Sequence, residues 1–410
     1  MSRLFPRLRR DLELVPVDHE GQEMLLVRDH LELVPAGMAL RPESFGLLSL
    51  LQEPRDSRLA AEELTRMAGG RLVTAGEIES VIDQLESAWL LETDRFLEER
   101  ARIRAGYAGL AVRESTLAGT AYPEDPAELA ARLGEIMVLA EPAGERPAGR
   151  LAGLVAPHID LAAGERVYAR AYRSLDGPPP ERVVILGVGH QLADGLFSLT
   201  SKDFATPLGI LANDREASRS LLAAAGDMAS ADDYVHKSEH SIEFQAVFLR
   251  GLLGGAAPAV VPVLCGSAAL MLPELSRQAF LDKAGPFLEA LSALTKAPDS
   301  RTLVLAGVDL CHIGPQFGDQ QPAAELEEQA SRHEAALLER IAAVDPDGFW
   351  REISRVQDVY NVCGLTALAA LLEALPARCR GEVLDYEMWR EAATSSAVGF
   401  AAAAFRTPGD

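Results

Sequence analysis

A chain of 410 residues exceeds what one ordinary hydrophobic core holds, so two or more domains are expected. Apolar residues make up 48% and mean hydropathy is +0.04, enough to fold but with strand-sized apolar runs too short to span a membrane. The net charge of −22 repels phosphate backbones and sets nucleic acid aside as a partner, and four scattered cysteines without a CxxC pair exclude zinc-finger and thioredoxin readings.

The basic start "MSRLFPRLRR" is followed by no apolar stretch, and the cysteines suit a reducing compartment, so the expected location is cytoplasmic. Residues 1–100 read as a small, mostly helical domain. "EMLLVRDHLELV" (23–34) predicts one or two short strands with a turn at Asp29-His30. Phe45, Leu48 and Leu51 have helical spacing. Ser57 is the expected cap of a helix that Gly69-Gly70 ends. Thr74 and Glu77 form a capping-box pattern before a helix whose stripe is Ile78, Ile82 and Leu85. Short helices with flanking strands resemble a winged-helix module, or the PqqD-like domains that hold peptides for modifying enzymes. This stretch has twelve arginines, no lysine and twenty acidic residues, and so lacks the basic footprint of a recognition helix. Residues 101–147, ending in "EPAGERPAGR", read as a linker or wrapping arm.

From 148 to 410 strands and helices alternate, which predicts an α/β layer fold on a mostly buried sheet. "GRLAGLVAPH", "ERVVILGVGH", "AVVPVLCG" and "RTLVLAGVDL" are its central strands. Asn213 and Ser238 are the expected caps of the helices that follow them, and "GEVLDYEMW" and "SAVGFAAAAF" close the chain as strands.

Ligands of open α/β sheets gather beyond the carboxyl ends of the strands. Three strands here end in chemistry: His158 and Asp160 in "APHID", His190 in "GVGHQ", and Asp309, Cys311 and His312 in "GVDLCHIG". Three histidines at equivalent strand ends point to one shared site. Asp160 also suits a plain helix cap. Asn361 as a cap would place Cys363 in a helix's first turn, where orphan amides and the dipole lower a thiol pKa; a buried apolar role is the alternative. "HKSEH" matches the inverzincin zinc-peptidase pattern, but Ser238 as cap leaves His236 in the preceding loop. His240 and Glu243, three residues apart, can face one site together.

In order, "APH", "ILGVGH", "TPLG", "EHSIEFQ", "VPVLCG", "VDLCHIG", "VCG" and "SSAVGFAAAAF" resemble the Memo family, known in prokaryotes as AmmeMemoRadiSam system protein B, over residues 151–405. That family shares its layered α/β/α fold with the class III extradiol ring-cleaving dioxygenases. The resemblance implies a metal on His158, His190 and Cys363, with Asp309, His312 and His240 lining the same pocket. His312 is then the acid/base group and Asp309 its support. Cys363 stands where the dioxygenases have the carboxylate of their Fe(II) site, and a sulfur donor shifts the preference toward copper or zinc. The expectation is a metal-binding, non-haem dioxygenase-like oxidoreductase (Fe(II) or Cu, with Zn as the other candidate) acting on an unknown small molecule or peptide. The alternatives are a non-catalytic metal or redox protein, and an adaptor whose residues 1–100 bind a peptide or protein such as a radical-SAM system component.

Overall fold

The apolar runs of the second half become buried parallel strands because they lie between two layers of helices. In the computed structural model, which describes residues 3–19, 21–67, 69, 71–140, 149–297 and 300–408, these strands are β1 (Arg150–Ala156), β2 (Arg182–Val188), β3 (Ala259–Cys265) and β4 (Thr302–Gly307). β4 pairs in parallel with β1 and β2, and β2 with β3. Alternate residues face opposite sides: Val304 and Ala306 enter one apolar cluster, Leu303 and Leu305 the other. Helices Pro126–Val138, Leu161–Tyr172 and His240–Leu253 cover the Leu303 side. Helices Arg215–Ala225, Arg277–Lys296, Ala323–Ala342, Pro346–Val356 and Leu365–Ala374 cover the other. The architecture is therefore layered α/β/α. A closing hairpin, β5 (Arg380–Glu391) and β6 (Ser396–Thr407), makes the sheet mixed, because β6 runs antiparallel to β1.

The chain divides into two units, Met1–Gly109 and Leu110–Asp410. The expected linker at 101–147 is largely structured. Helix Asp94–Ala108 closes the first unit. Val112–Arg113 then pairs with Asp203–Thr206, and Asp125 caps helix Pro126–Val138, which buries Leu129, Leu133 and Ile136. Pro126 at the first helical position and that apolar stripe make this part of the expected linker or wrapping arm a helix packed on the second unit's core. Residues 141–147 of that segment lie outside the described residues.

The first unit holds helices Phe45–Leu50, Ser57–Met67, Ala75–Ser87 and Asp94–Ala108 beside an antiparallel sheet of Leu12–His19, Gln22–Asp29 and Ala39–Leu40. The sequence reading foresaw only one side of that hairpin. Pro16 breaks the strand pattern of Leu12–His19, and it is tolerated because this strand lies at the sheet edge. The capping box of Thr74 and Glu77 forms, and Ile78, Ile82 and Leu85 are buried as their spacing requires. The Asp56 carboxylate, rather than Ser57, caps helix Ser57–Met67 by accepting from Arg58 N and Leu59 N, while Ser57 Oγ accepts from Arg3 N.

Candidate metal centre

His158 lies two residues beyond the end of β1 and His190 two residues beyond the end of β2, on either side of the end of β4. His240 is the first residue of the helix His240–Leu253. One ring nitrogen from each histidine lies within 4.8 Å of the others. The His190 and His240 rings stack with centroids 4.8 Å apart, and the His158 ring stands edge-on to both at 5.2 and 5.1 Å. His158 is buried, whereas the His190 and His240 side chains are each 37% exposed, so the centre opens on their side.

Each imidazole has its Nδ1 held by an acceptor. His158 Nδ1 donates to Gly307 O at 3.0 Å. His190 Nδ1 lies 3.1 Å from both oxygens of Glu239, and His240 Nδ1 lies 3.2 Å from Glu239 Oε1. Acceptors at Nδ1 of this kind fix the orientation of metal-binding histidines. Burial holds the His158 imidazole well below its usual pKa, and the neighbouring His240 and His190 push the same way, so it is neutral and able to bind a metal. Burial alone would raise the Glu239 carboxyl, but the charges and hydrogen bonds of His190 and His240 overcome it and hold the group well below the usual carboxylate range. Glu239 also caps the His240 helix by accepting from Ser241 N, a role the sequence reading gave to Ser238.

Around the three rings lie the other expected residues. Asp309 Oδ1 accepts from His158 N at 3.0 Å, and its Oδ2 is 3.7 Å from His158 Nε2. Burial pushes its carboxyl up to about 7. Cys363 Sγ lies 3.7 Å from His158 Nε2 and 3.5 Å from Asp309 O. It is not in a helix's first turn, because the helix begins at Leu365 with Gly364 as its cap. Asn361 caps no helix; it has a left-handed backbone and its side chain donates to His312 O. The thiol therefore gains nothing from the dipole, and burial followed by the Asp309 charge pushes it well above the usual thiol range. A bound cation would still ionise it, since a coordinating thiol loses its proton. His312 donates its backbone N–H to Tyr360 O and its Nδ1 lies 3.0 Å from Leu310 O. Burial lowers its pKa to about 4, well under the near-neutral value expected of an acid/base group, and leaves it a neutral imidazole.

Several sequence candidates lie outside the cluster. His236 sits in the turn Tyr234–His236 with its Nε2 3.1 Å from Ser198 O, so the inverzincin pair does not form. Glu243 faces away from His240 toward the segment 113–122: it pairs with buried Arg113 and accepts from Thr116 N, Leu117 N and Tyr122 OH. Asp160 is the cap of helix Leu161–Tyr172. The cap of helix Arg215–Ala225 is Asp214, while Asn213 is buried and donates to Thr200 O and Lys202 O. Sequence reasoning missed Glu239 and Arg113. Glu239 had a visible signal, an acid directly before a histidine at a helix start; Arg113 had none, because its partners His236, Glu239 and Glu243 lie more than 120 residues away.

A model of the Memo-like protein family matches residues 113–404, a span that includes the whole centre. The chain belongs to the Memo-like family. A MEMO1 family protein of Aquifex aeolicus is 30% identical over 375 residues, covering 89% of this Memo-like chain and 91% of its own. Another, from Thermus thermophilus, is 32% identical over 335 residues, with 80% and 93% covered. A protein memo-1 homolog of Caenorhabditis elegans is 27% identical over 268 residues, covering 64% of this chain and 71% of its own. At 89% coverage the Aquifex match extends into the first unit. No helix among the described residues is long and apolar enough to cross a membrane.

Proposed function

We propose that this Memo-like protein is a metal-dependent, non-haem dioxygenase-like oxidoreductase that holds its metal on His158, His190 and His240, with Cys363 beside them as a fourth donor. The observation that carries the reading is the closeness of three ring nitrogens in imidazoles whose Nδ1 atoms are all engaged elsewhere. Imidazoles with a neighbouring thiol fit Fe(II), copper or zinc better than magnesium or calcium, which prefer oxygen donors. The bound metal supplies Lewis-acid or redox chemistry. The chain's own residues orient it and handle protons: Glu239 fixes two rings, Asp309 holds or releases a proton beside His158, and His312 lines the pocket wall as a neutral imidazole. The set differs from His158, His190 and Cys363 because the His240 ring takes part, and Cys363 is its remaining neighbour.

The test is elemental analysis of anaerobically purified protein beside His190→Ala. Stoichiometric iron or copper that the variant loses supports the redox reading, and O₂ uptake with small phenols then probes the substrate class. Zinc in place of both supports the centre but removes the redox role, and no metal in either protein overturns the proposal.

A second reading, an adaptor whose first unit takes a peptide, is favoured by a cleft of about 450 Å³ between Arg58, Glu62, Thr65 and Leu72, of which Leu72 is exposed. Leu72→Asp in the full chain is expected to abolish capture of such a peptide while leaving metal content unchanged.

A further inference from the structure

The three histidines come from three separate elements, so something must fix their spacing. Two buried polar side chains on the His240 helix make the connections. Ser241, directly after His240, accepts from Val188 N at 3.0 Å and donates to Val188 O at 3.1 Å, closing both backbone groups of the residue two before His190. Gln245, one turn on, donates to Pro157 O at 2.9 Å, the residue before His158, and to Ser241 O at 3.1 Å. Its carbonyl accepts from Tyr172 OH at 2.6 Å, so the amide cannot flip without losing partners. Ser241 and Gln245 are fully buried. The strands leave room for them: a Cβ on Gly187 would lie 2.6 Å from Ser241 Oγ, and one on Gly307 would lie 2.6 Å from Ser241 O and 2.8 Å from Gln245.

We infer that Ser241 and Gln245 are positioning residues that set the spacing of His158, His190 and His240 by fastening the His240 helix to both strand ends. The inference rests on the three-histidine reading of the centre. Neither side chain touches the metal position. Each acts through the backbone next to a ligand, where a shift of a few tenths of an ångström moves an imidazole in or out of a shared coordination sphere. Loss of such supporting contacts around metal ligands typically weakens binding by about 10–100-fold.

The experiment uses the full chain as wild type, Gln245→Leu, Ser241→Ala and Thr295→Val. Thr295, whose hydroxyl donates to Ala374 O, is a buried control in helix Arg277–Lys296, on the opposite face of the sheet from the His240 helix. Two readouts are taken: Co(II) affinity with its visible spectrum, and histidine ring 1H–15N spectra of the metal-free protein. Gln245→Leu and Ser241→Ala are expected to weaken Co(II) binding about tenfold or more. They are also expected to alter the Co(II) spectrum and to move the ring signals of His158 and His240, or of His190 and His240. Thr295→Val should do none of this. If wild type binds no Co(II) but the ring signals still move, the positioning role stands and the metal reading falls. Wild-type affinity and unmoved ring signals in both variants overturn the inference. Should Gln245→Leu fail to fold, Tyr172→Phe, which removes one hydrogen bond to Gln245, reads the same signals.

Discussion

In the first unit Arg9 and Asp29 form a buried polar cluster in which every group is answered. The guanidinium donates to both Asp29 oxygens, to Asp11 and to Trp89 O, and lies 4.2 Å over the Phe96 ring. Asp29 also accepts from Leu31, Leu33 and Val34 N–H groups. In the second unit the histidine centre is equally polar but gathers one nitrogen from each of three rings within 4.8 Å of the others. A closed cluster secures the fold; an open one keeps bonding capacity for a ligand. The second unit contains the closed kind too, in Arg113 and Glu243, directly behind the open one.

The largest effect should come from opening a closed cluster. Asp29→Ala leaves the buried Arg9 with only Asp11 and Trp89 O as partners, and should cost about 3–5 kcal/mol, read as an early unfolding transition in urea. His158→Ala, by contrast, removes an uncharged group whose Nε2 meets only the Cys363 thiol and the Asp309 carboxyl at 3.7 Å; it should remove metal while the protein still unfolds cooperatively.

Acid separates the clusters next. Asp29 is held low in the fold: burial opposes this, but the Arg9 hydrogen bond and charge overcome it. Its contribution is present above the unfolded value and is lost only as pH falls through the depressed folded value. His333, buried in helix Ala323–Ala342 with both ring nitrogens unpartnered, has a pKa lowered to about 4 by burial. Between about 4 and 6.5 the unfolded chain binds the proton that the folded chain refuses. Stability is therefore intact above 6.5 and falls by about 3 kcal/mol as pH drops through that window. Chemical denaturation at pH 7 and pH 5 should show about 2 kcal/mol of this loss in wild type and less in His333→Phe.

Glu239→Gln keeps the shape of the centre but removes the charge that two rings share. It should weaken metal binding about 10–100-fold with the fold retained, as followed by competition with a chelating dye. The smallest effect belongs to the exposed capping box of the first unit: Thr74→Ala should cost about 1 kcal/mol and leave metal content unchanged.

The legibility of these regions in the sequence follows the same division. Parallel strands buried on both faces must be apolar throughout, so "RTLVLAGV" and its partners announced themselves and the polar residues after them marked the mouth of the sheet. His158, His190, Asp309 and His312 were read from that change alone. Helix starts were less visible. Ser238 looks a better cap than Glu239, but the carboxylate is needed there for His190 and His240, and site chemistry overrode capping preference. Asn361 looks like a cap yet takes a left-handed turn, which moved Cys363 out of the helix. The hairpin strand with Pro16 was hidden by its proline. Arg113, Ser241 and Gln245 were invisible because their partners are set by tertiary packing, which no local spacing records.

The most direct test is X-ray absorption at the metal edge of the loaded, full-length protein. The account predicts three imidazole nitrogens at about 2.0–2.1 Å, with a sulfur at about 2.3 Å that disappears in Cys363→Ala. A ligand shell without imidazole scattering, or one unchanged in His240→Ala, would contradict it.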